Sequence, residues 1–157
     1  MATVIPLRDR PDLCTFFAEQ FEAEWPDWYG PDGRGDAAAD LSAFANADGD
    51  LPVGVVALDD SGSPVGIAAL KATSIDTYAD VSPWATAGYV LPEERRRGIG
   101  ASLLSAVLVE ARRLGFQTVY CATASAVSLL EREGWSRIDA VEHEGGTQFI
   151  FRHLLQR

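Results

Sequence analysis

The segment PEERRRGIGASLL, residues 92–104, sets three arginines, Arg95, Arg96 and Arg97, directly before a Gly98-x-Gly100 pair. The chain around it has a formal net charge of -10. Guanidinium groups supply charge and forked donors suited to phosphate. Glycines let an anion approach the backbone closely. From Ile99 onward Leu103, Leu104, Val107, Leu108 and Ala111 recur at helical spacing, so the glycines stand where a helix begins. N–H groups in the first turn of a helix have no internal partner and carry the positive end of its dipole. The segment therefore reads as a cradle for a phosphate or pyrophosphate. By itself, "RRRGIG" fits a tight turn under an exposed charge run equally well. A P-loop would follow its last glycine with lysine, but Gly100 is followed by Ala101 and Ser102. A G-x-G-x-x-G loop would need glycine at Leu103.

The elements that must hold this segment can be read along the chain. TVIPL is a short strand, and RPDLCTFFAEQFEAEW an amphipathic helix with Asp12 as its candidate cap and Leu13, Phe16, Phe17 and Phe21 on its apolar face. PDWYGPDGRGD is a loop and AAADLSAFANA a short helix. Two apolar runs separated by DDSGS give a strand, a turn and a strand. TSIDTYADVSP is a loop, and WATAGYVL a strand ended by Pro92. The helix from Ile99 stops at Arg112, Arg113 and Gly115. FQTVYCA is a strand, SAVSLLEREG a short helix, and WSRIDAV and TQFIFRHLL are two last strands joined around HEGG. The order β-α-α-β-β-β-α-β-α-β-β makes residues 1–157 one α/β (α+β) domain. We expect a mixed central sheet of about six to seven strands flanked by about four helices.

Composition narrows the function. At 47% hydrophobic residues a packed core is expected. No apolar run reaches the length of a membrane span, and MATVIPLRDRPDL lacks the apolar core of a signal peptide. Cys14 and Cys121 read as buried thiols in a reducing compartment, which points to the cytoplasm. With His143 and His153 the only histidines and no Cys/His pair at ligand spacing, no metal is expected. Residues 1–80 hold 15 Asp/Glu against 4 Lys/Arg, and residues 81–157 hold 8 against 9. The second half suits an anionic ligand and the first a cationic one, while an acidic chain is a poor match for nucleic acid.

YVLPEERRRGIGASLLSAVLVEARRLGF resembles the acetyl-CoA-binding motif of the GNAT N-acetyltransferases, with Arg95-x-x-Gly98-x-Gly100 in the place of that family's Arg/Gln-x-x-Gly-x-Gly/Ala. SLLEREGW is similar to the family's LYEKLGF segment, and the resemblance covers about residues 84–139. It implies a GNAT-like fold, acetyl-CoA as cosubstrate and direct attack of an amine on the thioester. Amides from Arg96 through Ile99 to Ala101 would cradle the pyrophosphate, helped by charge from Arg95, Arg96 and Arg97. Gly88, Tyr89 and Val90 would lie along the pantetheine arm, and Thr123 near the pantetheine or adenine. An amide near Val90 or Leu91 would polarise the thioester carbonyl.

Leu130 stands where the family has tyrosine, its usual acid for the departing thiol. Tyr120, Ser125, Ser128 and Tyr89 are the alternatives near in sequence, and unassisted departure with water is another. The strand position that carries glutamate in some relatives falls near Trp84. Asp76, Asp80, Glu24 and Asp27 are the candidate bases, with Asp80 singled out because it precedes the cofactor strand. The acidic AEQFEAEWPDWYGPDGRGDAAAD, with Trp25, Trp28 and Tyr29 interleaved, would form the acceptor side and favour a cationic amine through charge and cation–π contact. Three readings follow: an N-acetyltransferase of small cationic amines, one acting on protein or peptide amines, and a CoA-binding regulatory module weak in catalysis. The family is often dimeric, so the resemblance leaves a homodimer open, and the sequence itself does not fix the oligomeric state.

Overall fold

The computed structural model describes residues 2–143 and 145–155. Its strands are β1 (Thr3–Pro6), β2 (Val53–Leu58), β3 (Pro64–Lys71), β4 (Trp84–Val90), β5 (Thr118–Thr123), β6 (Ser136–His143) and β7 (Gly146–Leu154). Its helices are α1 (Cys14–Glu24), α2 (Pro26–Tyr29), α3 (Ala37–Phe44), α4 (Ile99–Arg113) and α5 (Val127–Arg132). The seven strands form one mixed sheet in the order β1-β2-β3-β4-β5-β7-β6, antiparallel throughout except for β4 and β5.

Both faces of the sheet are covered. Val53, Val55, Ala57, Ala68, Leu70, Ala85 and Phe151 pack under α4, with Ile99, Leu103, Val107 and Ala111 from the helix. Val56, Ile67, Ala69 and Tyr89 pack on the other face under Phe17 and Phe21 of α1 and Leu41 and Phe44 of α3. Burial of each Val, Leu, Ile or Phe side chain among these stabilises by about 1.5–3 kcal/mol. Two glycines permit the close layers. A Cβ at Gly54 would lie 3.0 Å from Phe44 Cβ, and one at Gly66 would lie 3.1 Å from Leu103 and 3.2 Å from Ile99.

Local chemistry sets the boundaries. The DDSGS turn is tied by Asp59 Oδ1, which accepts from the amides of Ser61 and Ser63, both at 2.9 Å, with Gly62 at φ +86°. Gly115 and Gly134, at φ +89° and +86°, end α4 and α5. The expected cap of α1 is not found: Asp12 pairs with Arg10 at 2.9 Å, and a 3-10 turn, Pro11–Leu13, leads into the helix. The loop expected from Pro26 begins with one helical turn, because Pro26 suits a first helical position. Glu144, in the turn expected at HEGG, lies outside the described residues.

Glu110, on α4, is buried and charged. It accepts from Arg8 Nη1 at 2.8 Å and Arg113 Nε at 3.1 Å, and Arg113 Nη2 also donates to Gly49 O at 2.6 Å. The cluster clamps the end of α4 to the segment after β1 and to the loop before β2. Burial works against the Glu110 charge, but the hydrogen bonds from Arg113 and Arg8 outweigh it and hold the carboxyl below its ordinary range. Cys14 and Cys121 are free, half-buried thiols; Cys14 Sγ donates to Leu41 O at 3.4 Å.

Candidate functional site

β4 and β5 pair only at Trp84↔Tyr120 and Ala85↔Cys121, and past these two pairs the strands part. A bulge in β4 helps to bend it away. Its register against β3 shifts between Ile67↔Tyr89 and Ala69↔Thr86, with Ala87 at φ +55°. The fork opens into a groove of about 780 Å³ between β4, β5 and the starts of α4 and α5. Leu91 N–H donates to Val65 O at 2.9 Å, so strand alternation turns the N–H and C=O of Val90 away from β3, toward the groove. The Leu91 amide is thereby engaged, and of the two amides expected to polarise a carbonyl only that of Val90 is free to do so.

The loop Pro92–Gly98 brings the second half of the site. Arg96 and Gly98 take left-handed conformations, at φ +67° and +80°. The first helical bond runs from Ser102 N–H to Gly98 O at 3.1 Å, and none of the amides from Arg96 to Ala101 has an acceptor among the described residues. These are the orphan donors of a helix start, aimed by two consecutive tight bends. Gly100 lines the groove, where a Cβ would come 3.1 Å from Leu129 Cδ2, while the Ile99 side chain is buried in the core below.

The three arginines have different tasks. Arg95 folds back: its Nε donates to Val90 O at 2.8 Å, its guanidinium lies 5.7 Å from the Tyr89 ring centre, and Glu24 is 3.9 Å away. Arg97 is exposed and pairs with Glu94 at 3.2 Å. Arg96 lines the groove with no ion pair or hydrogen bond among the described residues.

Of the other expected residues, Gly88, Tyr89, Val90, Thr123, Ser128 and Trp25 line the groove. A Cβ on Gly88 would meet nothing within 4 Å, so that stretch of strand is bare backbone. Thr123 Oγ1 accepts from Ser125 N–H at 3.2 Å and Ala126 N–H at 2.9 Å, which ties the turn into α5. Tyr89 O–H donates to Gln20 Oε1 at 3.0 Å, and burial and the nearby Glu24 charge push its phenol up. Trp25 sits edge-on to Tyr89, with centroids 6.2 Å apart.

Four expected residues are not brought to the groove. Asp80 is exposed before β4, at the closed end of the fork. The Tyr120 ring packs on Trp84 at 5.5 Å, on the face away from α4. Tyr29 stacks on Phe21 at 5.7 Å and donates to Asp40 Oδ2 at 2.7 Å. Trp28 is exposed with the Arg34 guanidinium 5.6 Å from its ring centre. Among the candidate bases Glu24 alone lines the groove. Sequence reading missed Thr86, Cys121 and Gln148, which also line it. Burial pushes the Cys121 thiol up to about 12, so it is neutral. Leu130, at 1% exposure, belongs to the core beneath α5 and reaches the groove only with apolar surface.

Among the described residues no cluster of His, Cys, Asp and Glu could hold a metal ion, and no helix is long and apolar enough to cross a membrane. A forked sheet with an amide cradle beside the fork defines a class, and the comparisons agree. The model of the acetyltransferase (GNAT) family matches residues 12–135, and the chain belongs to that family. No curated protein matches it in sequence. Solved structures share the fold. An aminoglycoside 6'-N-acetyltransferase complexed with coenzyme A has a TM-score of 0.76 at 14% identity, covering 100% of this chain and 98% of its own. An aminoglycoside 6'-acetyltransferase type Ii has 0.74 at 17%, covering 100% and 99%. A phosphinothricin acetyltransferase from Sinorhizobium meliloti, in complex with acetyl-CoA, has 0.71 at 20%, covering 98% and 88%.

Proposed function

We propose that the chain is an N-acetyltransferase that moves an acetyl group from acetyl-CoA directly to the primary amine of a small cationic molecule. The observation that carries this reading is the open fork of β4 and β5 set beside six amides, Arg96 to Ala101, that have no acceptor among the described residues. The fork suits an extended arm with amide groups, and the cradle suits a pyrophosphate. Arg96 and the amides of Arg96, Arg97, Gly98, Ile99, Gly100 and Ala101 would hold the pyrophosphate. Gly88, Tyr89 and Val90 would flank the arm, with Thr123 opposite on β5. Arg95 is a positioning residue, since it braces the end of β4 at Val90 O.

Acetyl-CoA supplies a thioester carbonyl that an amine can attack. The Val90 N–H would be the donor that polarises that carbonyl. An alkyl amine has a pKa near ~10 and arrives protonated. Glu24, which lines the groove, would attract the ammonium and take its proton. Ser128 and Ser125, which line the groove, would supply the hydroxyl that helps the thiolate leave. Trp25 gives the acceptor an aromatic wall. The names of two structural neighbours, acetyltransferases of aminoglycosides, favour a polyamine-like or aminosugar acceptor.

Leu130 favours a second reading. An apolar, buried side chain where the family has its thiol acid is compatible with a CoA-binding module of low activity. Thiol release, measured over polyamines, aminoglycosides, neutral amines and basic peptides, separates the readings. We expect turnover with the polycationic small amines. Turnover confined to peptides would favour a protein acceptor. Binding of acetyl-CoA by thermal shift with no turnover on any amine would favour the module.

A further inference from the structure

The groove runs deeper than Gly88, Tyr89 and Val90, which would flank the CoA arm. Its inner end is lined by Ala68, Ala85, Cys121, Leu103 and Leu130. Four of these belong to the buried core beneath α4, and Cys121 packs against it. The register brings them together. Ala85 and Cys121 are direct partners, the last pair before β4 and β5 part. Ala68 stands opposite the bulge of β4, on the same face as Leu70, which is the partner of Ala85 on β3. Leu103 covers this face from α4: a Cβ on Gly66, two residues before Ala68, would lie 3.1 Å from it. Leu130 adds apolar surface from α5. Behind this chamber the pair Trp84↔Tyr120 closes the sheet.

The chamber is apolar and dry. Burial pushes the Cys121 thiol up to about 12, as an enclosed, water-poor space requires. Apolar cavities hold water poorly. The position fits the tail of a thioester. Val90, whose N–H would hold the carbonyl, pairs with Gly66, and Ala68 lies two residues further in, about 7 Å along the strand. An acetyl methyl held at Val90 stops short of the chamber, and a chain of several more carbons reaches it. Leu130, where the family has tyrosine, keeps a hydroxyl out of the chamber wall.

With the CoA arm seated in the fork, a reading on which this step rests, we propose that the chain also accepts longer apolar acyl thioesters, of hexanoyl length, and holds their tails in this chamber. The transfer balances as it does for acetyl. The amine nitrogen bonds to the acyl carbon, the C–S bond breaks, and CoA leaves as the thiol with a proton given up by the amine.

Calorimetry on the full chain compares CoA with acetyl-CoA, butyryl-CoA, hexanoyl-CoA and succinyl-CoA. Affinity is expected to rise with apolar length. Each buried methylene contributes about fourfold, so hexanoyl-CoA should bind roughly tenfold or more tighter than acetyl-CoA. Succinyl-CoA, as long as butyryl-CoA but charged at its end, should bind more weakly than butyryl-CoA, because its carboxylate would lose its water. Thiol release with an amine acceptor should show turnover of the hexanoyl thioester. Cys121→Leu fills the inner end, and in a variant with a cooperative thermal transition the hexanoyl advantage should disappear. Should that variant not fold, the wild-type series decides. Affinity that is flat or falls from acetyl- to hexanoyl-CoA, succinyl-CoA bound as well as butyryl-CoA, no hexanoyl turnover by a chain that turns over acetyl-CoA, or a hexanoyl advantage that survives in folded Cys121→Leu overturns the proposal and leaves the seat of CoA intact. If neither CoA nor any thioester binds, that seat and the proposal fall together.

Discussion

Glu110→Gln tests the ionic clamp at the end of α4. The substitution keeps the shape and one carbonyl acceptor but removes the charge that faces two guanidinium groups, at 2.8 Å and 3.1 Å. Hydrogen bonds to charged groups contribute about 1.5–3 kcal/mol each when shielded from water. The Glu110 side chain is 8% exposed, but Arg8 and Arg113 are 23% and 39% exposed, so solvent recovers part of their loss. We expect a destabilisation of about 2 kcal/mol at pH 7, or a urea midpoint lower by roughly 1 M at an ordinary m-value. The pH dependence follows from the direction of the shift. Glu110 titrates below its ordinary 4.5 in the folded protein. Its contribution is therefore full above the unfolded value and is lost as pH falls through the lower folded value. The gap between wild type and Glu110→Gln should close on acidification below about 4.5. Glu94→Gln is the control: its partner Arg97 is 67% exposed, and its midpoint should stay within about 0.3 M. Acetyl-CoA affinity should be unchanged in Glu110→Gln, because about 15 Å of helix separates Glu110 from Gly100. A midpoint shift near zero, or one as large at pH 3.5 as at pH 7, would refute the reasoning.

Glu24→Gln should lower kcat/KM for the amine by about 10²-fold while leaving the KM for acetyl-CoA near wild type; equal activity would remove Glu24 as the base. Arg96→Ala should weaken CoA binding by roughly three- to tenfold and flatten its salt dependence, whereas Arg97→Ala, already paired with Glu94, should do less. Calorimetry at two ionic strengths decides between them. Gly98→Ala places its Cβ in open space but at φ +80°, so it should cost about 1 kcal/mol in thermal stability, with Gly98→Asn costing less. Gly100→Val drives a branched side chain against Leu129 and into the groove, and should abolish the thermal shift given by acetyl-CoA in a protein that still folds.

What could be read from the residues was local. Turn chemistry at DDSGS, the stop at Gly115 and the helix start at Gly98 depend on neighbours in sequence, and each lies where its pattern put it. The fork does not arise that way. Alternation from Trp84 would put Tyr89 on the opposite face, but the bulge at Ala87 adds one residue and returns Tyr89 to the face of Trp84 and Thr86. No pattern of residue types announces that extra residue, since Ala87 is no glycine. Proximity in sequence also misled. Asp80 precedes β4 but sits at the closed end, and Tyr120 belongs to the right strand but points to the packed face. Glu24 reaches the groove from α1, across a distance that only the tertiary fold closes.

The parting of β4 and β5 after two pairs has a further consequence. It leaves two strand edges inside the molecule, each with backbone donors and acceptors awaiting a partner. An exposed edge is a template for whatever extended chain arrives, including another copy of the same protein. A molecule that lies between them joins the sheet as an eighth strand, and the ladder is complete only while it stays. Vacant protein should then aggregate and be cleaved more readily than occupied protein, so its survival in a cell would follow the supply of its own cosubstrate.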